Sequence, residues 1–404
     1  MKKIFIILLF CITELISGCL VNDDESPILN SSPIGKFSLP ETPLVCAYLH
    51  IGNRKLSVKD LNLEGVGILN LAFTKITNNR MGLIHPQDAQ NFMIAKKLRD
   101  KYPTMKILVS VGGYGTSKVF SDMCMTDSTR AIFVDDAVRF VRYYSLDGID
   151  VDWEFPGMSS KTRQADKENF TSLLQELRLA FDKASKEDGK RYFLTIASGA
   201  FELYLSYVDI KKIIPLADYF FLMTYDFYGQ WNNHTGHHTN LYLSNLQPNG
   251  HSLDKITRIY INKGVPREKI IVGAAFYGRK WTSVSEENFG LFKYGKGVGS
   301  VSFNKIYSLT KQKKYVRYWD SVACSPALYN SSDKIFISYE DEESVRRKVD
   351  YVFMKKLAGI MYWEYFSDYD GLLSNSIKSE FDINNGIYVD FRLPLNVNIK
   401  KVKK

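Results

Sequence analysis

The chain has 404 residues, of which 45% are hydrophobic and 14% aromatic, and its formal net charge is +9. That apolar content excludes a disordered chain, and the length suits one large domain or two ordinary ones. The charge would fit a nucleic-acid or anionic-surface binder, but the densest basic cluster is the tail Lys400, Lys401, Lys403 and Lys404, with no nucleic-acid motif beside it, so no nucleic acid is expected as partner.

In chain order, Lys2 and Lys3 precede an apolar run from Ile4 to Ile12. This is the form of an export signal, too short to span a bilayer. Leu15, Ile16, Ser17, Gly18 and Cys19 then resemble the lipidation site of a bacterial lipoprotein. Residues 1–19 are therefore expected to be the signal, with Cys19 carrying lipid. The protein would be anchored in the cell envelope rather than spanning a membrane. Secretion after ordinary cleavage is the other reading. Asn22, Asp23, Asp24 and Glu25 resemble an acidic surface-export tag, and residues 20–42 read as a flexible polar tether. Beyond Cys11 and Cys19, the remaining Cys46, Cys124 and Cys324 are odd in number and widely spaced, which does not make a disulfide framework. No Cys/His spacing suggests zinc, and no metal or cofactor is expected.

Short apolar runs then alternate with longer amphipathic ones, the pattern of βα units. Strands are predicted at 44–50, 67–73, 106–111, 148–152, 193–198, 219–223, 270–276 and 359–363. Helices are predicted at 128–144, 166–185, 252–262 and 344–356. Eight such units specify an α/β (β/α)₈ TIM barrel. The long gap between the seventh and eighth strands exceeds a single crossover. Residues 283–338 show little helical period and read as a small inserted subdomain. The barrel should occupy 43–390 and the basic tail 391–404.

The most informative stretch is Asp147 to Glu154, DGIDVDWE. In an extended strand Asp150, Asp152 and Glu154 share one face, and Ile149, Val151 and Trp153 the other. Successive carboxylates stand roughly 6–7 Å apart, twice the rise per residue. Like charges that close cannot all ionise cheaply, so one proton should be retained near neutral pH, as a general acid requires. Phe155, Pro156 and Gly157 end the strand and leave Glu154 at its mouth.

This octapeptide resembles the signature of glycoside hydrolase family 18, the chitinases and related endo-β-N-acetylglucosaminidases. Further matching segments occur in the family's order: Ser110 to Gly113, Met223 to Asp226, Phe276 to Arg279 and Gly359 to Trp363. The insertion at 283–338 resembles the α+β insertion of one chitinase subfamily, with Tyr339, Glu340 and Asp341, followed by Ser344 and Lys348, similar to the family's return into the barrel. The resemblance implies a retaining mechanism in which the substrate's acetamido group is the nucleophile. Glu154 would be the acid and then the base. Asp152 would hold the acetamido N–H, Asp150 would share a proton with Asp152, and Tyr225 would orient the acetamido group. Asp147 is expected to be structural.

Asp226 would bind substrate and Trp363 would floor the site. Tyr48, Phe73, Met223, Gly113 and Tyr277 are expected to line it, with plain barrel packing the equal alternative for Tyr48 and Phe73. Arg279 could pair with a carboxylate or bind sugar. Trp231, Trp281 and Trp319 are candidate stacking platforms, and Asp320 a further substrate contact. Ser110 to Gly113 reads as a backbone-shaping turn, and His237 and His238 as loop-ordering rather than metal-binding. Chitin or another N-acetylglucosamine glycan is the expected partner of a monomeric enzyme. Action on the chitobiose core of N-glycans, or sugar binding without cleavage, are the alternatives.

Overall fold

The computed structural model describes residues 42–386. Cys19, the tether and the basic tail lie outside the described residues. The elements in order are β1 (Leu44–His50), β2 (Ile68–Thr77), β3 (Arg80–Gly82), α1 (Asp88–Lys101), β4 (Lys106–Gly112), α2 (Ser117–Met123), α3 (Asp127–Tyr143), β5 (Gly148–Asp152), α4 (Asp166–Asp188), β6 (Phe193–Ser198), α5 (Ile210–Ile213), β7 (Tyr219–Leu222), α6 (Leu253–Asn262) and β8 (Ile270–Ala275). There follow β9 (Tyr277–Thr282), β10 (Lys296–Ser302), α7 (Phe303–Thr310), β11 (Val316–Asp320), β12 (Ser325–Asn330), β13 (Ile335–Ser338), α8 (Glu342–Lys355), β14 (Gly359–Trp363) and α9 (Leu372–Gly386).

Strands β1, β2, β4, β5, β6, β7, β8 and β14 pair in parallel, and β1 closes the ring by pairing with both β14 and β2. Alternation along each strand divides the side chains between two cores. Cys46 and Tyr48 of β1 point into the barrel with Ile68, Leu108, Phe221, Ile271 and Met361. Val45, Ala47 and Leu49 point outward to the helices.

Helix starts follow capping chemistry. Thr126 forms a capping box with Thr129 before α3, and the Ser252 side chain accepts from Lys255 N before α6. Helix α8 begins two residues before the expected Ser344, because the Asp341 carboxylate caps the N–H groups of Glu343 and Ser344.

The insertion is a five-stranded antiparallel sheet in the order β10-β9-β13-β12-β11. It begins at Tyr277 rather than 283, since β9 continues almost directly from β8. It also contains the short helix α7, which the sequence pattern did not suggest. Its own core is Trp281, Val284, Leu291, Ala327, Tyr329 and Phe336. Trp281 is therefore no stacking platform. It is 0% exposed, and its indole Nε1 donates to Asn232 O at 3.2 Å.

Trp281→Ala should cost about 3–5 kcal/mol through lost burial and the cavity left behind. The lowered urea midpoint would show it, and Trp281→Phe should recover much of the loss.

Candidate active site

Strand β5 carries the acidic face to the C-terminal end of the barrel, where βα loops build active sites. The three carboxyl groups meet three environments. Asp150 is fully buried, and its Oδ2 accepts from the hydroxyls of Tyr48 on β1 and Ser110 on β4, both at 2.8 Å. Its Oδ1 accepts from Thr195 on β6 at 2.7 Å. Burial raises this carboxyl, and the three hydroxyls draw it back down. Asp152 is pushed well above the carboxylate range by burial, then by the charges of Glu154 and Asp150. Its buried Oδ1 has no hydrogen-bond partner. Glu154 lies just beyond β5 at the cleft and is raised to about 7, first by burial and then by the charge of Asp226.

Two sequence expectations change here. Ser110 is a side-chain donor to Asp150, besides belonging to a turn. No hydrogen bond joins Asp150 to Asp152 here, and the Asp150 oxygens accept instead from hydroxyls of three other strands. Asp147 takes the structural place expected for it: Oδ2 accepts from Ile107 N at 2.9 Å, and Arg99 pairs with the carboxylate at 3.1 Å.

The cleft over β5 holds about 1020 Å³, at the upper end of ordinary ligand pockets. It brings together Asp152 and Glu154 with Tyr48, Phe73, Gly113, Met223, Tyr225, Asp226, Trp231, Tyr277, Arg279 and Trp363. Trp363 forms the floor. Phe73 stacks on it at 5.4 Å between ring centres, and Tyr48 and His50 lie 5.8 Å away. Gly113 has φ +89°, and a Cβ there would lie 2.9 Å from the Phe73 ring, so glycine lets this loop close over the floor. Tyr225 is driven far above its ordinary value by burial and then by the charges of Asp152 and Glu154. Its hydroxyl therefore stays protonated and can donate.

Asp226 sits at φ 61° and is held by a fork: Arg279 Nε reaches Oδ1 at 2.7 Å and Nη2 reaches Oδ2 at 2.6 Å. Tyr277 donates to the same Oδ1 at 2.7 Å. Burial would raise this carboxyl, but His238 and Arg279 hold it well below the usual range. Burial also pushes the His238 imidazole down, and its Nδ1 stands 3.7 Å from Asp226. The charged Arg279 fork is accordingly the stronger hold. Arg279 thus pairs with a carboxylate, and its guanidinium also lies 5.1 Å from the Trp231 ring centre.

Trp231 is 57% exposed at the cleft, whereas Trp319 is not among its lining residues and packs under Arg317 at 5.0 Å. Asp320 is buried and does not reach the cleft. It accepts from Ser244 at 2.7 Å and from the N–H groups of Val322 and Ala323, with His237 at 3.2 Å.

Sequence reasoning missed Tyr114, His50 and Thr195. Tyr114 is 92% exposed at the cleft between Gly113 and Gly115, and an aromatic flanked by glycines after a strand was a usable signal. Thr195 had none, because a single hydroxyl 45 positions from its partner leaves no local pattern.

The family model for glycosyl hydrolases family 18 matches residues 45–368. Chitinase A1 of Niallia circulans is 37% identical over 316 residues, which cover 72% of this chain and 45% of that protein. The chain thus spans less than half the length of that relative. Chitotriosidase-1 of Mus musculus is 31% identical over 322 residues, covering 75% of this chain and 68% of that one. Among solved structures, a glycoside hydrolase family 18 N-acetylglucosaminidase from Paenibacillus barengoltzii aligns with a TM-score of 0.78 at 35% identity, covering 84% of this chain and 100% of that one.

Titration of Glu154, followed by carboxyl carbon NMR, should show a midpoint near 7. Asp226→Asn removes the neighbouring negative charge and should move that midpoint downward. An unchanged midpoint would show that burial alone sets it.

Proposed function

Because this chain belongs to glycosyl hydrolases family 18, we propose that it hydrolyses β-1,4 bonds between N-acetylglucosamine units, with chitin or chitooligosaccharides as substrate and configuration retained. The supporting observation is the state of the carboxyls lining the cleft. Asp152 and Glu154 leave one strand on one face, and Asp226 is clamped by Arg279 and Tyr277. Most retaining glycosidases set an acid and a free carboxylate nucleophile across the sugar, and this family is a recognised exception. Asp152 projects from the same strand and face as the acid and Asp226 is clamped, so neither is placed across the sugar from Glu154 as that nucleophile, which favours the substrate's own acetamido oxygen.

Glu154, protonated up to about pH 7, gives its proton to the leaving oxygen. The acetamido oxygen bonds to the anomeric carbon as the glycosidic bond breaks, forming an oxazolinium ion. The unpartnered Asp152 Oδ1 accepts the acetamido N–H and offsets the positive charge. The Tyr225 hydroxyl orients the acetamido group over Trp363. Glu154, now a carboxylate, takes a proton from water, which attacks the anomeric carbon and opens the oxazolinium ring.

Chitin is favoured over the N-glycan core by the insertion. Tyr277 and Arg279 of β9 and Ser300 and Ser302 of β10 line the cleft, so the inserted sheet supplies a wall beside β5. A linear polymer can lie along that wall and stack on the exposed Tyr114 and Trp231. A branched glycan attached to a protein would meet it.

Wild type should release products from chitotetraose, leave fully deacetylated chitosan uncut, and act poorly on a high-mannose glycoprotein. Glu154→Gln should lose at least about 10²–10⁴-fold in kcat. Efficient release of high-mannose glycans with chitotetraose untouched would transfer the assignment to the N-glycan core. Cleavage of a glucan without acetamido groups would overturn the mechanism.

For the region before the described residues, we propose lipid anchoring at Cys19, on the basis of the signal and cysteine pattern alone. Cys19→Ala should move the protein from the membrane fraction to the soluble one. Unchanged membrane association would refute the anchor.

A further inference from the structure

The segment carrying Tyr225 and Asp226 runs past the end of its strand, after a last bond from Met223 N to Ser198 O of β6 at 3.0 Å. Strand β7 ends at Leu222, and Asp226 has positive φ. Within the segment, Thr224 N bonds Leu222 O at 2.8 Å and Tyr225 N bonds Met223 O at 2.7 Å. Such tight local bonds do not by themselves define where the Tyr225 ring stands. Asp226 is clamped by Arg279 and Tyr277, whereas behind Tyr225 the contacts run through Thr224. Its hydroxyl donates to Gly273 O on β8 and accepts from Gly273 N, both at 2.8 Å.

The Thr224 carbonyl accepts from the Thr239 hydroxyl at 3.1 Å. Thr239 in turn accepts from Lys348 Nζ at 2.7 Å, and Lys348 is ion-paired to Glu340 and lies 3.4 Å from Gly273 O. Ser344 bonds the other Glu340 oxygen at 2.5 Å. Lys348, Glu340, Thr239, Thr224 and Gly273 are all buried.

A buried ion pair is weak support for stability, because desolvating two charges offsets much of their attraction. This pair does something a hydrophobic pair could not. The Thr239 hydroxyl has two acceptors at 3.1 Å, the Thr224 carbonyl and Glu340 Oε1. Lys348 both donates to that hydroxyl and engages the same Glu340 oxygen, which turns the Thr239 proton toward the Thr224 carbonyl. Lys348 comes from α8 and Glu340 from just after β13, so the elements that return the chain from the inserted sheet to the barrel form the support. We infer that Lys348, acting through Thr239, is a positioning residue for the reaction: it fixes the Thr224 backbone and so holds Tyr225 at the sugar. The inference rests on the role proposed for Tyr225 above. No atom of Lys348 or Thr239 lines the cleft.

The test is Thr239→Val, which keeps the side-chain shape and removes the hydroxyl. On chitotetraose kcat should fall between about tenfold and 10²-fold, as expected when a reacting group is misplaced. KM should change by less than about threefold, because the sugar-stacking rings are untouched. Thr239→Ser should restore kcat. Combined with Tyr225→Phe, the loss should be less than multiplicative, since both changes remove one function. Amide exchange at Tyr225 and Asp226 should quicken in Thr239→Val, a readout independent of turnover. Should that variant not accumulate, Lys348→Arg carries the same expectations, since a planar fork cannot reproduce the contacts of a compact ammonium. A folded variant with lowered thermal stability but wild-type kcat and unchanged exchange would overturn the inference. Wild-type inactivity on every acetamido sugar would instead defeat the functional reading, and exchange would still decide this one.

Discussion

Removing three carboxyl groups from water along one strand is the constraint on which the rest of the site depends. Each group answers it differently. Asp150 is satisfied by hydroxyls from β1, β4 and β6, so one carboxyl ties together three strands of the barrel interior. Asp152 keeps a buried oxygen without a partner, and burial with the charges of Glu154 and Asp150 pushes its carboxyl well above the usual range. Glu154, at the mouth, is poised to about 7. The same linkage bears on stability. A carboxyl whose value is higher folded than unfolded binds its proton more tightly in the fold. Ionising Glu154 as pH rises from about 4.5 to about 7 therefore weakens the folded state. The protonation state that can donate is also the one the fold tolerates best.

The second level of the design is the division of labour among charges. Asp226 could have competed with Glu154 for the role of acid, being close enough to raise it. His238 and the Arg279 fork keep it ionised instead. A permanently charged neighbour raises Glu154 without taking its proton. Pairs of titratable groups pushed in opposite directions mark acid and base assignments, and here the inserted strand β9 supplies Arg279, the charged partner that holds Asp226 down.

What was legible in the sequence was what a strand or a helix writes locally. The eight barrel strands, the face shared by Asp150, Asp152 and Glu154, and the outward Trp153, now stacked on Phe120 at 5.2 Å, all follow from two-residue alternation. Trp281 and Asp320 misled for one reason. Each is a residue type that sugar sites use, but facing and burial in the insertion are decided by strands far away in sequence. The supporting hydroxyls of Ser110, Thr195 and Thr239 were unreadable as such, since their partners lie between 15 and 109 positions away. Motif reading finds the groups that react and passes over those that hold them.

The polarity of the barrel has a practical consequence. All eight strands run the same way, and the chain joins β1 at Leu44, at the end opposite the cleft. Coupling to a bead, an electrode or a scaffold protein through a linker placed ahead of Leu44 would present the open mouth to the surrounding liquid. The support would face the side of the molecule where no chemistry occurs, and even an insoluble fibre could approach from above without being shielded by the surface that holds the catalyst.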